Sequence, residues 1–431
     1  MEVFLQLFND AFWGKLLTFL IIFLPIALPL MLFYVFWVIR FRWITMKFAG
    51  SQKPCLLEIR LPKEITKSPE AMEIFFSYLS QGGDPTYTGL YLDGKTRPWF
   101  SCELVSIGGT VRFFIWASQA RFKNMIEAQL YAQYPNVEVH EVPIEEDYTK
   151  LVPYDLSKYT IFGLQYQLTK ADPYPIKTYV EYHLEKNEKE EYKIDPMTSV
   201  LEYLGSLRQG EYAWIQILLQ KHEKEGWKHG VLERDAKDLK GEIKKAIDEI
   251  KENAMLKKKP DAGEEKTNAS YLDLSKRQGE VIAALERSAS KPPFDAMIRS
   301  FYIAENTVFN GANIGGLIGS LRQYSSNDLN GFKPGILPDV SPLYKDIARF
   351  LPFLKGGIKK ISEEIRFDLF HAYRLRSFFQ HPYKHYGNKP FVLTTEELAT
   401  LFHFPSGMVS QTPTLKRVES KKSEAPANLP I

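Results

Sequence analysis

Cysteine is almost missing from this chain, with two in 431 residues. That excludes a disulfide scaffold and a four-thiolate zinc site. A dominant charge sign is missing too: 55 Lys+Arg against 52 Asp+Glu leave a formal +3. The chain is therefore not a strongly cationic wrapper of nucleic acid, although a local basic patch stays open. Long apolar runs are confined to one place, and a mean hydropathy of −0.25 excludes a polytopic membrane protein. Neither G-x-S-x-G nor H-E-x-x-H occurs, and no carboxylate pair has a spacing that singles out an acid and a base. What remains is a globular composition, 45% hydrophobic, 14% aromatic and 25% charged, long enough for two or three domains.

The one long apolar run, residues 16–39, reads LLTFLIIFLPIALPLMLFYVFWVI with no charged residue. As a helix it covers about 36 Å, enough to cross a bilayer with some tilt. Pro25 and Pro29 each remove a backbone donor and predict a kink near its middle. Trp13 lies just before the run, and Trp37, Phe41 and Trp43 lie at its end, as interfacial aromatic belts do. Arg40, Arg42 and Lys47 follow it, whereas only Lys15 precedes it. This bias predicts a single-pass protein of the plasma (inner) membrane, its N-terminus outside and its body cytoplasmic. A signal peptide has a shorter apolar core and a small-residue cleavage site. Here bulky aromatics fill that place, so a retained anchor is expected. Cys55 and Cys102 then face a reducing compartment and read as small buried strand residues.

Beyond the anchor (1–50), the expected fold class is α+β. Residues 51–150 carry strand and helix patterns in the order βαββαβ, the ferredoxin-like arrangement. CLLEIRLP is a strand, and SPEAMEIFFSYLSQ a helix with Ser68 as N-cap and Pro69 in the first turn. WFSCELVSI and TVRFFIWAS are strands joined by Gly108-Gly109, a hairpin signal. RFKNMIEAQLYAQYP is a helix and VEVHEV a strand. In that strand order the strands of Cys55 and Cys102 are not neighbours, so no disulfide is expected. A second ferredoxin-like module is expected over 151–336, from YTIFGLQYQL, MTSVLEYLGSLRQG, EYAWIQILLQ, FDAMIRSFYIAE and NIGGLIGSLRQY. It is interrupted by a charged helical insertion at about 222–290, in which residues 221–266 hold 13 basic and 12 acidic residues. Leu232, Ala236, Leu239, Ile243, Ala246 and Ile250 recur there as a heptad-like seam. An intramolecular hairpin with the helix near SKRQGEVIAALERSAS is preferred over pairing between chains, with 257–270 as a connector. Residues 337–431 read as a helical, basic region ending in an extended, Pro-rich tail. They include the helix SEEIRFDLFHAYRLRSFFQ and a capping box at Thr394-Thr395-Glu396-Glu397.

Residues 89–96, GLYLDGKT, satisfy G-x4-G-K-[ST] through Gly89, Gly94, Lys95 and Thr96. A phosphate loop follows a buried strand and opens a helix, whose N–H groups and dipole hold the phosphates. Here QGGDPTYT precedes, a turn-rich loop, and RPWFSCEL follows, where Pro98 leads into a strand. The match is read as a decoy, and no catalytic residue, cofactor or metal is assigned. Gly311, Gly315 and Gly319 lack the dinucleotide spacing and read as packing positions. Pro382 interrupts any helical pairing of His381 with His385. The aromatic strand VRFFIW lacks an RNA-binding signature, and core packing is the more economical account. Arg366, Arg374, Arg376, Lys384 and Lys389 form a modest basic cluster, a candidate contact for DNA phosphates or lipid headgroups.

Several segments together resemble a known group: SPEAMEIFFSYLSQ, GKTRPWFSCELVSIGGTVRFFIWAS, RFKNMIEAQLYAQYPNVEVHEV, NIGGLIGSLRQYSSNDLNGFKP, TTEELATLFHFP and TPTLKRVESKKSEAPANLP. They are similar to the membrane-proximal region of conjugative DNA-transfer ATPases of type IV secretion systems, in the wider HerA–FtsK group. They also resemble an uncharacterised family of single-pass membrane proteins of candidate-phyla bacteria. The resemblance covers most of 54–150 and 292–431. In the ATPases a segment like TEELATLFHFP leads into the ATPase domain, whereas this sequence ends at Ile431. The resemblance implies a non-catalytic, membrane-anchored component that recruits a separately encoded ATPase of that group, with about 412–431 as the docking tail. It also implies assembly into a homo-oligomer, since such motors are often rings. The rival expectations are a nucleotide hydrolase using Lys95 and Thr96, and a membrane protein that binds nucleic acid directly through the basic cluster.

Overall fold

The computed structural model describes residues 2–62, 65, 67–81, 85–184, 195–222, 239–256, 274–335, 355–405 and 417–418. The chain separates into two compact units, Met1–Gln52 with Asp84–Thr96, and Lys53–Gly83 with Arg97–Ile431.

The first unit is built on α1, Glu2–Ser51, which runs as one helix through Pro25 and Pro29. Every residue from 21 to 36 is exposed, and the stretch Ile21–Ser51 is long and apolar enough to cross a membrane. The second element of this unit is a short helix, α3 (Tyr87–Asp93).

The second unit is a mixed structure around one continuous sheet. Its first elements are β1 (Cys55–Pro62), α2 (Glu70–Leu79), β2 (Trp99–Ile107), β3 (Thr110–Ala117), α4 (Lys123–Gln133) and β4 (Glu138–Val142). The strands lie in the order β4-β1-β3-β2, all neighbours antiparallel. Then come β5 (Tyr159–Leu168), α5 (Pro196–Gly205), β6 (Glu211–Lys221), α6 (Leu239–Leu256), α7 (Lys276–Ala289), β7 (Pro293–Glu305), α8 (Ala312–Gly319) and β8 (Phe332–Pro334). These strands lie in the order β8-β5-β7-β6, again antiparallel. The two halves repeat one order and join edge to edge through β2 and β6, nine residue pairs centred on Glu103↔Gln216.

The β2–β3 turn is made by Gly108 and Gly109, both with positive φ (57° and 85°), the mirror-image turn that a tight hairpin favours. Helix α2 starts at Glu70 with Pro69, not Ser68, in the cap position and no side-chain cap. Ser68 contributes its carbonyl, which accepts from the Ala71 N–H. The charged insertion contains a hairpin: Leu239, Ile243, Ala246 and Ile247 of α6 pack with Ile282 and Leu285 of α7. Leu232, Ala236 and the 257–270 connector lie outside the described residues.

The C-terminal region supplies α9 (Lys355–Arg374), β9 (Phe391–Thr394), α10 (Thr395–Leu401) and β10 (Arg417–Val418). It is not a separate layer. β9 pairs with the start of β7 and β10 with the end of β1. Helix α10 is buried along its whole length and packs on α2 and α5. Its capping box, Thr394 with Glu397, is formed. Apart from Arg417 and Val418, the tail 412–431 lies outside the described residues.

Alternation along the strands divides the core into two layers. Leu57, Cys102, Phe113, Ile115, Ile217 and Ile298 belong to the larger layer, with residues of α2, α4, α5, α8 and α10. Phe114, Trp116, Trp214 and Phe301 point the other way and pack with Leu369, Phe370 and Tyr373 of α9. The aromatic strand VRFFIW is thus buried on both faces. Cys55 and Cys102 are both free and buried.

Candidate functional site

The residues of the phosphate-loop match do not form a phosphate loop. Gly89 lies inside α3, whose N-cap Thr86 accepts the Gly89 N–H through its side chain at 3.2 Å. Gly94 ends that helix with φ +69°, its position in the left-handed region that glycine enters without strain. Lys95 pairs with Asp93 at 3.1 Å, with its side chain 52% exposed, and Thr96 is buried. Past Lys95 and Thr96 the chain enters β2, not a helix. The cradle of N–H groups at a helix start is replaced by the C-terminal end of α3. Of the loop expected before Gly89, Tyr87 and Thr88 form the start of α3, a helix too short for its periodicity to be legible.

The basic cluster is divided. Arg366 and Arg374 are half-buried on α9, while Lys384 and Lys389 are exposed. The Arg374 guanidinium lies 5.9 Å over the Phe370 ring. Glu363, Glu364 and Asp368 share α9 with these arginines, which dilutes a one-signed patch. Arg376 has to be withdrawn from the surface. It is 3% exposed, and its guanidinium is committed to two carboxylates inside the protein.

That burial belongs to the most developed polar structure among the described residues. Register aligns Phe114, Glu103, Gln216, Arg299 and Gln165 as one row across β3, β2, β6, β7 and β5. Glu103 is fully buried and accepts five donors. Arg376 Nε and Nη2 donate at 2.9 and 3.0 Å. The Ser101 hydroxyl, Gln216 Nε2 and the Tyr148 hydroxyl donate at 2.7, 2.8 and 2.8 Å. Arg376 also donates to Asp147 at 2.5 Å. Burial alone would lower the Arg376 pKa, but the charges of Glu103 and Asp147 outweigh it and hold the guanidinium well above its ordinary value. Asp147 responds in kind: burial would raise it, and Arg376 holds it below the usual carboxylate range.

Arg299, fully buried, has no carboxylate of its own. Its Nε donates to Gln216 Oε1 at 2.6 Å, and its Nη2 and Nη1 donate to the carbonyls of Ala372 and Ser377 at 2.8 and 3.3 Å. Burial lowers it to about 9, so it remains charged at neutral pH. Those carbonyls belong to the end of α9. There Ser377 N–H bonds Ala372 O, and Arg376 N–H bonds Tyr373 O, while Arg376 takes φ +49°. This is a Schellman ending with arginine where glycine is usual. Arg299 supplies the positive charge that a helix C-terminus favours, and Trp99 Nε1 donates to the Arg376 carbonyl at 2.9 Å. The helix therefore stops at Arg374, short of the expected Gln380.

Chemically this is a clamp. Glu103 has no exposure and a full set of donors, so it offers no lone pair to a substrate. It fixes the segment after α9 onto the joint of the two sheet halves. Gln165 extends the clamp, donating to Tyr386 O at 2.9 Å and accepting from Asn388 Nδ2 at 3.1 Å. Sequence reasoning missed Glu103, Asp147, Gln216 and Arg299. The available signal was a charge in the middle of two apolar strand runs, WFSCELVSI and FDAMIRSFYIAE.

A second polar cluster secures α10. Arg287 Nε donates to both oxygens of Glu396 at 3.0 Å and its Nη2 pairs with Glu181. His403 Nε2 lies 3.1 Å from both oxygens of Asp195, the residue that caps α5 through the Met197 N–H.

The profile of a family described as a domain of unknown function (DUF8128) matches residues 52–417. No curated protein matches the chain.

Proposed function

The chain belongs to that DUF8128 family, and we propose that it is a non-catalytic, membrane-anchored component of a type IV secretion-like or conjugation-like complex that moves DNA or protein. In this reading a separate ATPase of the HerA–FtsK group supplies the energy, and the chain holds it at the membrane. The observation that carries the anchor is the bare apolar surface of α1. An 18-residue window within it has a mean hydropathy of 2.4 with none of its residues buried, and such a surface is stable in lipid and not in water. Arg40, Arg42 and Lys47 against Lys15 favour an outside N-terminus and a cytoplasmic body. The recruiting role rests on the resemblance of 54–150 and 292–431 to the membrane-proximal part of the transfer ATPases. We read each half of the sheet as a ferredoxin-like module, a reading supported by the βαββαβ succession and the repeated strand order. The nucleotide-hydrolase alternative is disfavoured by a helix where the loop should be and a strand where the helix should be.

Recruitment is tested by crosslinking in cells, solubilising the full-length chain in mild detergent and identifying what co-purifies. A phosphate-loop ATPase that is recovered with the full chain and lost when residues 412–431 are removed is the expected result. Purification with no ATPase contradicts the recruiting role.

A further inference from the structure

We propose that α3 is a membrane-interface element, lying in the lipid headgroup layer beside the emerging anchor. The proposal rests on the reading that α1 spans the bilayer. One side of α3 is fastened to α1. The Tyr91 ring lies 6.5 Å from Trp37 and 5.9 Å from Phe41, and Arg40 Nη1 donates to the Tyr91 carbonyl at 3.2 Å. Gly94 rests on the α1 backbone itself, where any Cβ would collide with the Ile44 carbonyl. Ile44 and Thr45 are buried accordingly. These contacts occupy residues 37–45 of α1, about 12 Å of helix rise, and begin where the fully exposed apolar stretch ends at residue 36.

The rest of α3 leaves large side chains uncovered. Tyr87 is 73% exposed and Leu92 is 63% exposed. The surface continuous with them names what covers them. Trp37 and Trp43 stand on the same stretch of α1, with Arg40 and Lys47 over their rings at 5.7 and 5.1 Å. Aromatic rings, an aliphatic side chain and cations at the end of an apolar span match the chemistry of the lipid–water boundary. The paired charges of Asp93 and Lys95 sit at the α3 end that Gly94 holds at Ile44, beyond the apolar stretch. The glycines of the phosphate-loop match thereby acquire a role. Gly94 allows α3 to end flat against α1, and Gly89 leaves room for the Lys95 side chain, 3.1 Å from where its Cβ would be.

The test uses the full chain reconstituted into phosphatidylethanolamine–phosphatidylglycerol vesicles, with an environment-sensitive thiol fluorophore at Leu92→Cys, Tyr87→Cys or Ile26→Cys. All three sites are exposed, and the native cysteines are buried, so labelling is selective. Brominated lipids should quench the labels at 87 and 92 at least about threefold more than aqueous acrylamide does, as expected for a boundary position, with the label at 26 quenched by lipid alone. Adding Gly94→Val should abolish lipid quenching at 92 and leave it unchanged at 26. If 26 is quenched by lipid while 87 and 92 respond only to acrylamide, α3 lies in water and the proposal fails while the span stands. If 87 and 92 are shielded from both quenchers, protein covers α3 and the proposal fails equally. Loss of lipid quenching at 26 overturns the span and the proposal together.

Discussion

The carboxylate of Glu103 and the guanidinium of Arg376, 273 residues apart in sequence, meet in a two-bonded pair at 2.9 and 3.0 Å inside the protein. The pair ties the end of α9 to the strand at which the two sheet halves join. A buried pair of this kind is a poor source of net stability, because desolvation of both ions opposes their attraction. Breaking one side is another matter.

Arg376→Met strands the buried carboxylate of Glu103 and the half-buried one of Asp147 and should cost about 3–5 kcal/mol. Arg376→Gly should lose about 1 kcal/mol less, because glycine adopts the left-handed φ that methionine resists. In the double variant Glu103→Gln/Arg376→Met the two losses should fall short of their sum, the mark of direct coupling. Chemical unfolding of the full chain in detergent, followed by tryptophan fluorescence, reads these three together with the single Glu103→Gln variant. Additive losses would mean the pair does not act as a unit.

Stability should fall as pH rises through the mildly acidic range. Burial lifts Glu397 from its ordinary 4.5 to about 7, so between those values the folded chain holds a proton that the unfolded chain has released. His403 acts in the same direction. Burial opposes its charge, but Asp195 outweighs burial and raises its pKa, so its contribution is complete below the ordinary histidine value and lost as pH climbs through the raised one. Each group adds a slope of up to about 1.4 kcal/mol per pH unit. Glu397→Gln should flatten the part between 4.5 and 7, whatever it costs in absolute stability. An unchanged slope in unfolding free energy against pH would remove Glu397 as its source.

Lys95→Ala should change no nucleotide property of the chain. Titration calorimetry with magnesium ATP is expected to give no binding heat for either protein. Binding that disappears in the variant would restore the hydrolase reading and overturn the structural account of residues 89–96.

Much of the architecture was legible because it rests on local rules. The run CLLEIRLP and the Gly108-Gly109 turn announce β1 and the β2–β3 hairpin, and Thr394 with Glu397 announces the start of α10. The order of the second half up to α8 could be read across the insertion, because its three strand runs and the helix SVLEYLGSL keep their own periodicities, whereas the three residues of β8 carry none. What escaped depended on distant partners. Arg376 follows Arg374 and precedes Lys384, a neighbourhood that reads as a basic surface, and nothing near it in sequence points to Glu103. Glu103 and Gln216 sit inside largely apolar strand runs, and nothing near either in sequence says that α9 covers them. The helix α3 escaped because seven residues with a glycine inside carry no usable period, and what stabilises it is its seat on α1.

The most direct test of the central claim is a topology measurement. Cells expressing the full-length chain with a C-terminal tag are converted to right-side-out spheroplasts and to inverted membrane vesicles, and each is treated with an impermeant protease. The account predicts that the chain stays with the membrane through a carbonate wash, and that its body is protected in spheroplasts and digested in inverted vesicles. Release by carbonate, or digestion in intact spheroplasts, would contradict a single retained span with the body on the cytoplasmic side.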